Sequence, residues 1–284
     1  MSDPLPTREL ARLQSLQIKL GQILVKSKLN DSLRSDLEKL FAAIESNVSK
    51  FEQLHDDGFA LQSLEDSRLR HDIRNAIGIT RGYAELIRET EGDKLPSATL
   101  SNLLDKVILW SNKSLSMLEN GKRKKPATQP VNNDETITEN TSPQYQGNIL
   151  ILDDEPANRE LLQRYIQQLG LTSFACANAS EAFNVLQHED IDLILLDLVM
   201  PEVSGHEVLA KLKASQLWRA IPVIIISGLG DHAEVIKCIE AGAEDYLQKP
   251  FNRTLLQARL RAGLNRKRWV DTERHLTSEL EKSH

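Results

Sequence analysis

The sequence predicts two folded units of different class. The first is all-α, of helical-hairpin or four-helix-bundle type; the second is α/β, with a doubly wound, five-stranded parallel sheet. Three observations predict this. From about Arg8 to Gly121, Leu and Ile recur at three- and four-residue steps with few Gly or Pro, the period of amphipathic helices. Residues 121–147, "GKRKKPATQPVNNDETITENTSPQYQG", are polar, rich in Pro and Thr, and aperiodic. From Asn148 onward, short apolar runs alternate with amphipathic segments, as in parallel strands joined by crossover helices.

Composition sets the bounds. A chain of 284 residues holds about two compact domains plus connectors. The hydrophobic share is 40% and the aromatic share 5%, which suits helices packed through Leu and Ala better than an aromatic-rich β-sandwich. A formal charge of −6 and a pI near 5.7 give no general attraction to nucleic acid or acidic membranes. The two cysteines, Cys176 and Cys238, lie in no metal-ligand or redox spacing and are expected to be reduced, as in a cytosolic protein. The start, "MSDPLPTREL", lacks the basic-then-apolar pattern of a signal peptide. No apolar run approaches the roughly 20 residues that cross a bilayer. A cytoplasmic protein is therefore expected.

Helix breaks are predicted at Leu29-Asn30-Asp31, at Asp56-Asp57-Gly58, and from Glu91-Gly92-Asp93 through Pro96-Ser97. The helix "RLRHDIRNAIGITRGYAELIRE" has Ile73, Ala84 and Ile87 as its buried seam, with Thr80 as the one polar interruption. On that reading His71 and Asn75 fall on the solvated side. The next helix carries Leu100, Leu103, Leu104, Val107, Trp110, Leu115 and Leu118. A short loop between two such helices makes an antiparallel hairpin, whose apolar stripe must pack against something else. A second copy is the preferred partner, making a homodimer with a four-helix bundle; the segment from Arg8 to Leu54 is the alternative within one chain. The expected layout is N-terminal helices or coiled coil over 1–63, the hairpin over 64–120, and a flexible tether over 121–147. The run Lys122-Arg123-Lys124-Lys125 is read as the solvated start of that tether rather than a nucleic-acid contact.

In the second unit, strands are predicted at 148–153, 172–175, 191–196, 222–227 and 245–247. Helices are predicted near 158–169, 179–187, 205–213 and 233–241, with a final one from Arg253. The runs "ILIL", "LILL" and "VIII" are apolar on both faces, which marks a parallel sheet covered on both sides. Such sheets bind ligands beyond the carboxyl ends of their strands. Those ends carry Asp153-Asp154-Glu155, Asp197, Ser227 and Lys249-Pro250. Crowded carboxylates repel one another, and Mg²⁺ relieves the crowding while keeping several waters. With an ammonium and a hydroxyl beside them, the set suits phosphoryl transfer to a carboxylate.

Residues 148–268 resemble the receiver domain of two-component response regulators, a flavodoxin-like fold. The resemblance rests on "LILDDEPANRELL", "DLILLDLVMPEVSGHEVLAKLK", "IPVIIISG" and "AGAEDYLQKPF", with family spacing from Asp197 to Ser227 to Lys249. It implies that Asp197 is the phosphoacceptor. Asp153, Asp154, Asp197 and the backbone carbonyl of Val199 would bind Mg²⁺. Lys249 would pair with a phosphoryl oxygen, and its bond to Pro250 would be cis. Ser227 and Tyr246 would be the switch pair, with Ser in place of the commoner Thr. Phosphohydrolases with a nucleophilic Asp need a second acid two residues later, where this chain has Val199. Gly228-Leu229-Gly230 is read as a mobile loop, since it lacks the rest of a nucleotide-binding signature.

The segment "RHDIRNAIGITRGYAEL" resembles the H-box of the dimerisation and histidine-phosphotransfer region of sensor histidine kinases, through His71, Asp72, Arg74 and Asn75. The resemblance implies a phosphohistidine at His71, its ring oriented by Asp72, or water alignment by Asn75 in dephosphorylating an aspartyl phosphate. Ala76 replaces the family's proline, so a stiffer helix is expected. Nothing resembles a kinase ATP-binding domain, so no ATP-dependent kinase activity is expected. His71 is charged by another kinase, acts in dephosphorylation, or is a relic on a dimerising scaffold. The other histidines (His55, His188, His206, His232, His275 and His284) are assigned no function. The C-terminal helix, extending over 269–284, has a seam of Leu255, Ala262, Trp269 and Leu276 that would permit a coiled coil. The sequence shows no helix-turn-helix; the chain is expected to be either a piece of a longer protein with an output domain or a regulator whose output is a protein contact. The implied function is phosphorelay signalling, with a histidine kinase or phosphotransfer protein upstream and a protein contact downstream.

Overall fold

A computed structural model describes residues 5–56, 67–92, 95–120, 146–201, 203–228 and 232–282. The chain divides into two compact units, Met1–Asn140 and Thr141–His284. Apart from Gln146 and Gly147, the expected tether lies outside the described residues. So do the break at Asp57-Gly58 and the Leu229–Gly230 part of the loop after the fourth strand.

The first unit consists of α1 (Leu5–Lys26), α2 (Asp31–Asp56), α3 (Ser67–Glu91) and α4 (Ala98–Asn120). Each packs on the next, and α1 also packs on α4. The helices that complete the hairpin thus come from the same chain: α1 and α2 take the place that the sequence assigned first to a second copy. The physical reason is the pair of seams they supply, with Leu13, Leu20, Leu37, Leu40, Ile44 and Phe51 all fully buried. Each such side chain contributes roughly 1.5–3 kcal/mol by leaving water. Caps define the helix starts. Asn30 Oδ1 accepts from the Leu33 amide (2.7 Å) and Ser97 Oγ from the Leu100 amide (3.2 Å), satisfying amides that have no carbonyl partner within their helices.

The seams predicted for α3 and α4 are buried throughout, from Ile73, Ala84 and Ile87 to Leu100, Trp110 and Leu118. Thr80, the polar interruption, has a partner on α2. The Asn47 amide lies 2.8 Å from Thr80 Oγ1, 2.9 Å from the Ala76 carbonyl and 3.0 Å from the Ala43 carbonyl. Its two hydrogens serve three acceptors, so a fully buried polar cluster ties α2 to α3. Helix α3 runs unbroken through Ala76.

The second unit contains β1 (Asn148–Leu152), α5 (Pro156–Gln168), β2 (Thr172–Cys176), α6 (Ala179–His188), β3 (Leu193–Asp197), α7 (Gly205–Ala214), β4 (Val223–Ser227), α8 (His232–Glu240), β5 (Asp245–Gln248) and α9 (Arg253–Lys282). All neighbouring strands are parallel, in the order β2-β1-β3-β4-β5. Alternate strand residues such as Leu150, Ile194 and Ile225 join α6, α7 and α8 in one core, while α5 and α9 pack on the strands separately. The predicted doubly wound α/β class is the one observed.

Helix α9 buries Leu256, Leu260 and Leu264, whereas Leu255 and Trp269 are exposed. The seam read from the sequence therefore faces away from the sheet, and its Leu276 side chain lies outside the described residues. Cys176 and Cys238 are free and buried. Among the described residues, no helix is long and apolar enough to cross a membrane.

Candidate functional site

The strand registers assemble the site. Leu152 pairs with Leu196, so the next residues, Asp153 and Asp197, emerge side by side. Asp197 pairs with Ile226, one residue before Ser227, and Ser227 pairs with Gln248, one residue before Lys249. Strand order reverses between β1 and β3, which opens a crevice at the carboxyl ends of these two strands. Apolar strands that end in a polar residue thus deliver five functional groups to one edge of the sheet.

Asp153, Asp154 and Asp197 each offer a carboxylate oxygen, and the three lie within 4.8 Å of one another. Asp153 and Asp197 are buried; Asp154 is partly exposed. The buried Lys249 ammonium sits 2.8 Å from Asp153 Oδ2 and 2.6 Å from Asp197 Oδ2. Its peptide bond to Pro250 is cis, as the resemblance implied. The Asp197 pKa is raised to about 6, chiefly by burial, with Lys249 opposing the rise and Asp153 adding to it. Burial works against the Lys249 charge, but Asp197 and Asp153 outweigh it and hold its pKa above the usual value.

Three ionised carboxylates and one ammonium leave a charge of 1 − 3 = −2 at this edge. That donor set fits a hard divalent cation, which prefers carboxylate oxygen and water. Asp153 is also held by the Asn158 amide, 3.2 Å from both carboxylate oxygens, and by the Glu155 amide at 3.0 Å. Arg159 donates to the Asp153 and Asp154 carbonyls at 2.7 and 2.8 Å. Val199, predicted through its carbonyl, also donates its amide to Asp197 Oδ1 at 3.2 Å. Ser227 is buried at the end of β4, while Tyr246 on the edge strand is 38% exposed. The two members of the expected switch pair therefore differ in environment.

Sequence reading missed Asn158, Arg159 and Gly205. Asn158 is a buried polar residue on the inward face of α5, a signal legible in principle as an amide on an apolar stripe. At Gly205 a Cβ would come within 2.3 Å of the Asp197 carbonyl oxygen and 2.7 Å of Leu198 Cα. Helix α7 therefore starts directly against the loop that carries Asp197.

His71 and Asn75 lie on α3 in the other unit. Neither is fully solvated: both are partly buried, and the His71 side chain is 25% exposed. The face expected from periodicity to be open is therefore half-buried; α2 packs on α3, with Lys50 Nζ 3.4 Å from the Asp72 carbonyl. His71 Nδ1 is 3.6 Å from Asp72 Oδ1, an electrostatic approach longer than a hydrogen bond.

Residues 149–261 match the family described as response regulator receiver domain, and that stretch is a receiver domain. Among curated proteins, the chain is 34% identical over 130 residues to "Probable transcriptional regulator ycf27" of Guillardia theta, covering 46% of this chain and 50% of that protein. It is 38% identical over 125 residues to the phosphate regulon transcriptional regulatory protein PhoB of Pseudomonas aeruginosa, covering 44% and 55%. The chain thus spans about half the length of the curated relatives it matches. A solved structure, the signal receiver domain of a signal transduction histidine kinase from Syntrophus aciditrophicus, is 33% identical with a TM-score of 0.40, covering 42% of this chain and 90% of that one.

Proposed function

We propose that this chain is a cytoplasmic phosphorelay protein whose receiver is switched by Mg²⁺-dependent phosphorylation of Asp197. The observation that carries the reading is the convergence of Asp153, Asp154 and Asp197 within 4.8 Å, with Lys249 on two of them. Asp153, Asp154, Asp197 and the Val199 carbonyl would hold Mg²⁺, which supplies charge neutralisation at the transferring phosphoryl group. A carboxylate oxygen of Asp197 attacks phosphorus. The bond from phosphorus to the donor's histidine nitrogen breaks, and the leaving imidazole takes up a proton. Lys249 turns from Asp197 to the phosphoryl oxygens, and Ser227 donates its hydroxyl to one of them. Tyr246 follows inward from its exposed position. A histidine kinase or phosphotransfer protein supplies the group, the output is a contact with a protein partner, and the chain forms a homodimer.

Acetyl phosphate plus Mg²⁺ should add one phosphate, detected by intact mass. EDTA or Asp197→Asn should abolish the addition. A phosphate that persists on Asp197→Asn rejects the assignment.

A second reading is that the α3–α4 hairpin is an H-box-like module acting on the aspartyl phosphate. His71 would receive the phosphoryl group, or Asn75 would align the attacking water. The partly exposed His71 with Asp72 3.6 Å away favours it. The decay of phospho-Asp197 separates the readings. Equal lifetimes in wild type, His71→Ala and Asn75→Ala leave the hairpin as a scaffold; a several-fold longer lifetime in either variant makes it chemically active.

A further inference from the structure

We infer that the helical unit carries a binding site for a small phosphorylated organic anion, of nucleoside di- or triphosphate type, in the groove between the end of α1 and the start of α4. The cavity there measures about 630 Å³, within the range of roughly 300–1,000 Å³ typical of small-molecule sites.

Its charge is one-sided. Lys19 and Lys26 reach it from α1 and Lys106 from α4, and among the described residues no carboxylate lines it. Among the described residues, none of these three ammoniums has a hydrogen-bond or ion-pair partner. The neighbouring acid on α4, Asp105, is bound to Arg88 at 2.5 Å. Helix α1 carries Arg8, Arg12, Lys19 and Lys26 against Glu9 alone, a charge of 4 − 1 = +3 within a chain of −6. Glu9 is occupied by Arg12 and Lys113, each at 2.8 Å. A concave surface of one sign concentrates the opposite ion.

The remaining lining narrows the class. Ile23 and the buried Leu103 give an apolar wall for a ring or base. Lys19 and Lys26 are seven residues apart, which places them about 10 Å apart along the helix. Among the described residues the lining cations are lysines, which bind phosphate oxygens as point charges. The first turn of α4 holds no acidic residue, so no side-chain charge offsets the positive end of its dipole.

Binding of ATP, pyrophosphate and adenosine to the full chain tests this, measured by equilibrium dialysis at low salt. EDTA is included so that no metal-bound nucleotide can form at the receiver carboxylates. ATP should bind saturably, pyrophosphate should compete more weakly, adenosine should not bind measurably, and salt should weaken the interaction. Lys19→Glu and Lys106→Glu should each weaken ATP binding tenfold or more with unchanged helical circular dichroism. Lys211→Glu, an exposed lysine on α7, should leave it unaltered. Absence of saturable binding at millimolar ATP overturns the inference. So does affinity that survives both charge reversals, or binding to anionic phospholipid vesicles without binding to free ATP.

Discussion

Lys249→Met is expected to destabilise the metal-free receiver by about 3–5 kcal/mol, the loss typical of breaking a buried ion pair from one side. The ammonium lies 2.8 and 2.6 Å from Asp153 and Asp197, and all three groups are buried. Without it, two carboxylates face each other in low dielectric with no counter-charge. Adding Asp197→Asn should restore much of the loss, since one of the opposed charges goes with it. Calorimetry of the two single variants and the double variant measures this coupling. Additive effects would mean that Lys249 and Asp197 do not interact energetically.

The same site has a signature in pH. The folded pKa of Asp197 is raised above its ordinary value, to about 6. The folded state therefore holds this proton more tightly than the unfolded chain. The resulting stabilisation is complete at low pH and is lost as pH rises through about 6. In EDTA, Asp197→Asn should exceed wild type in stability at pH 7, and the gap should narrow toward pH 5. At 100 times its dissociation constant, Mg²⁺ should stabilise wild type by about 2.7 kcal/mol. A gap that widens on acidification contradicts the assignment of burial as the dominant cause.

Gly205→Ala is expected to be the other large effect, with a cost of about 1–3 kcal/mol from overpacking and a slower phosphorylation by acetyl phosphate. The added Cβ meets backbone, at 2.3 Å from the Asp197 carbonyl oxygen and 2.7 Å from Leu198 Cα, and backbone has no alternative rotamer. Helix α7 must move off β3 or the Asp197 loop must shift. Gly170→Ala is the control. That glycine has φ +76° but open space around it, so its loss carries only the left-handed backbone penalty of about 1–2 kcal/mol and should leave phosphorylation unchanged. Urea midpoints and acetyl phosphate rates on both variants distinguish crowding at the site from a general loss of stability.

Much of the receiver was legible because its information is local. The apolar strands β1, β3 and β4 lead into Asp153, Asp197 and Ser227, and the shorter β5 leads into Lys249, so local pattern specifies element type and places those groups at strand ends. Parallel pairing then leaves few ways to separate Asp153 from Asp197. The supporting groups were less legible, because their roles depend on neighbours distant in sequence. Asn158 becomes an orienting group only once α5 sits over β1. Gly205 becomes obligatory only because α7 begins against the Asp197 carbonyl.

In the helical unit, periodicity identified the seams of α3 and α4, and Thr80 as their polar exception. It could not name Asn47, 33 residues earlier, as the partner of Thr80, nor reveal that the His71 side chain is only 25% exposed. A lone amphipathic stripe demands burial without specifying what covers it, so a second chain was preferred over the Arg8–Leu54 segment until α1 was seen against α4. Helix α9 has the same ambiguity. It presents two apolar stripes, and the position of the sheet selected Leu256, Leu260 and Leu264 for burial while leaving Leu255 and Trp269 in water. Pattern along a chain encodes which residues avoid water; the choice among possible covers is a global minimum over packing, which no local window contains.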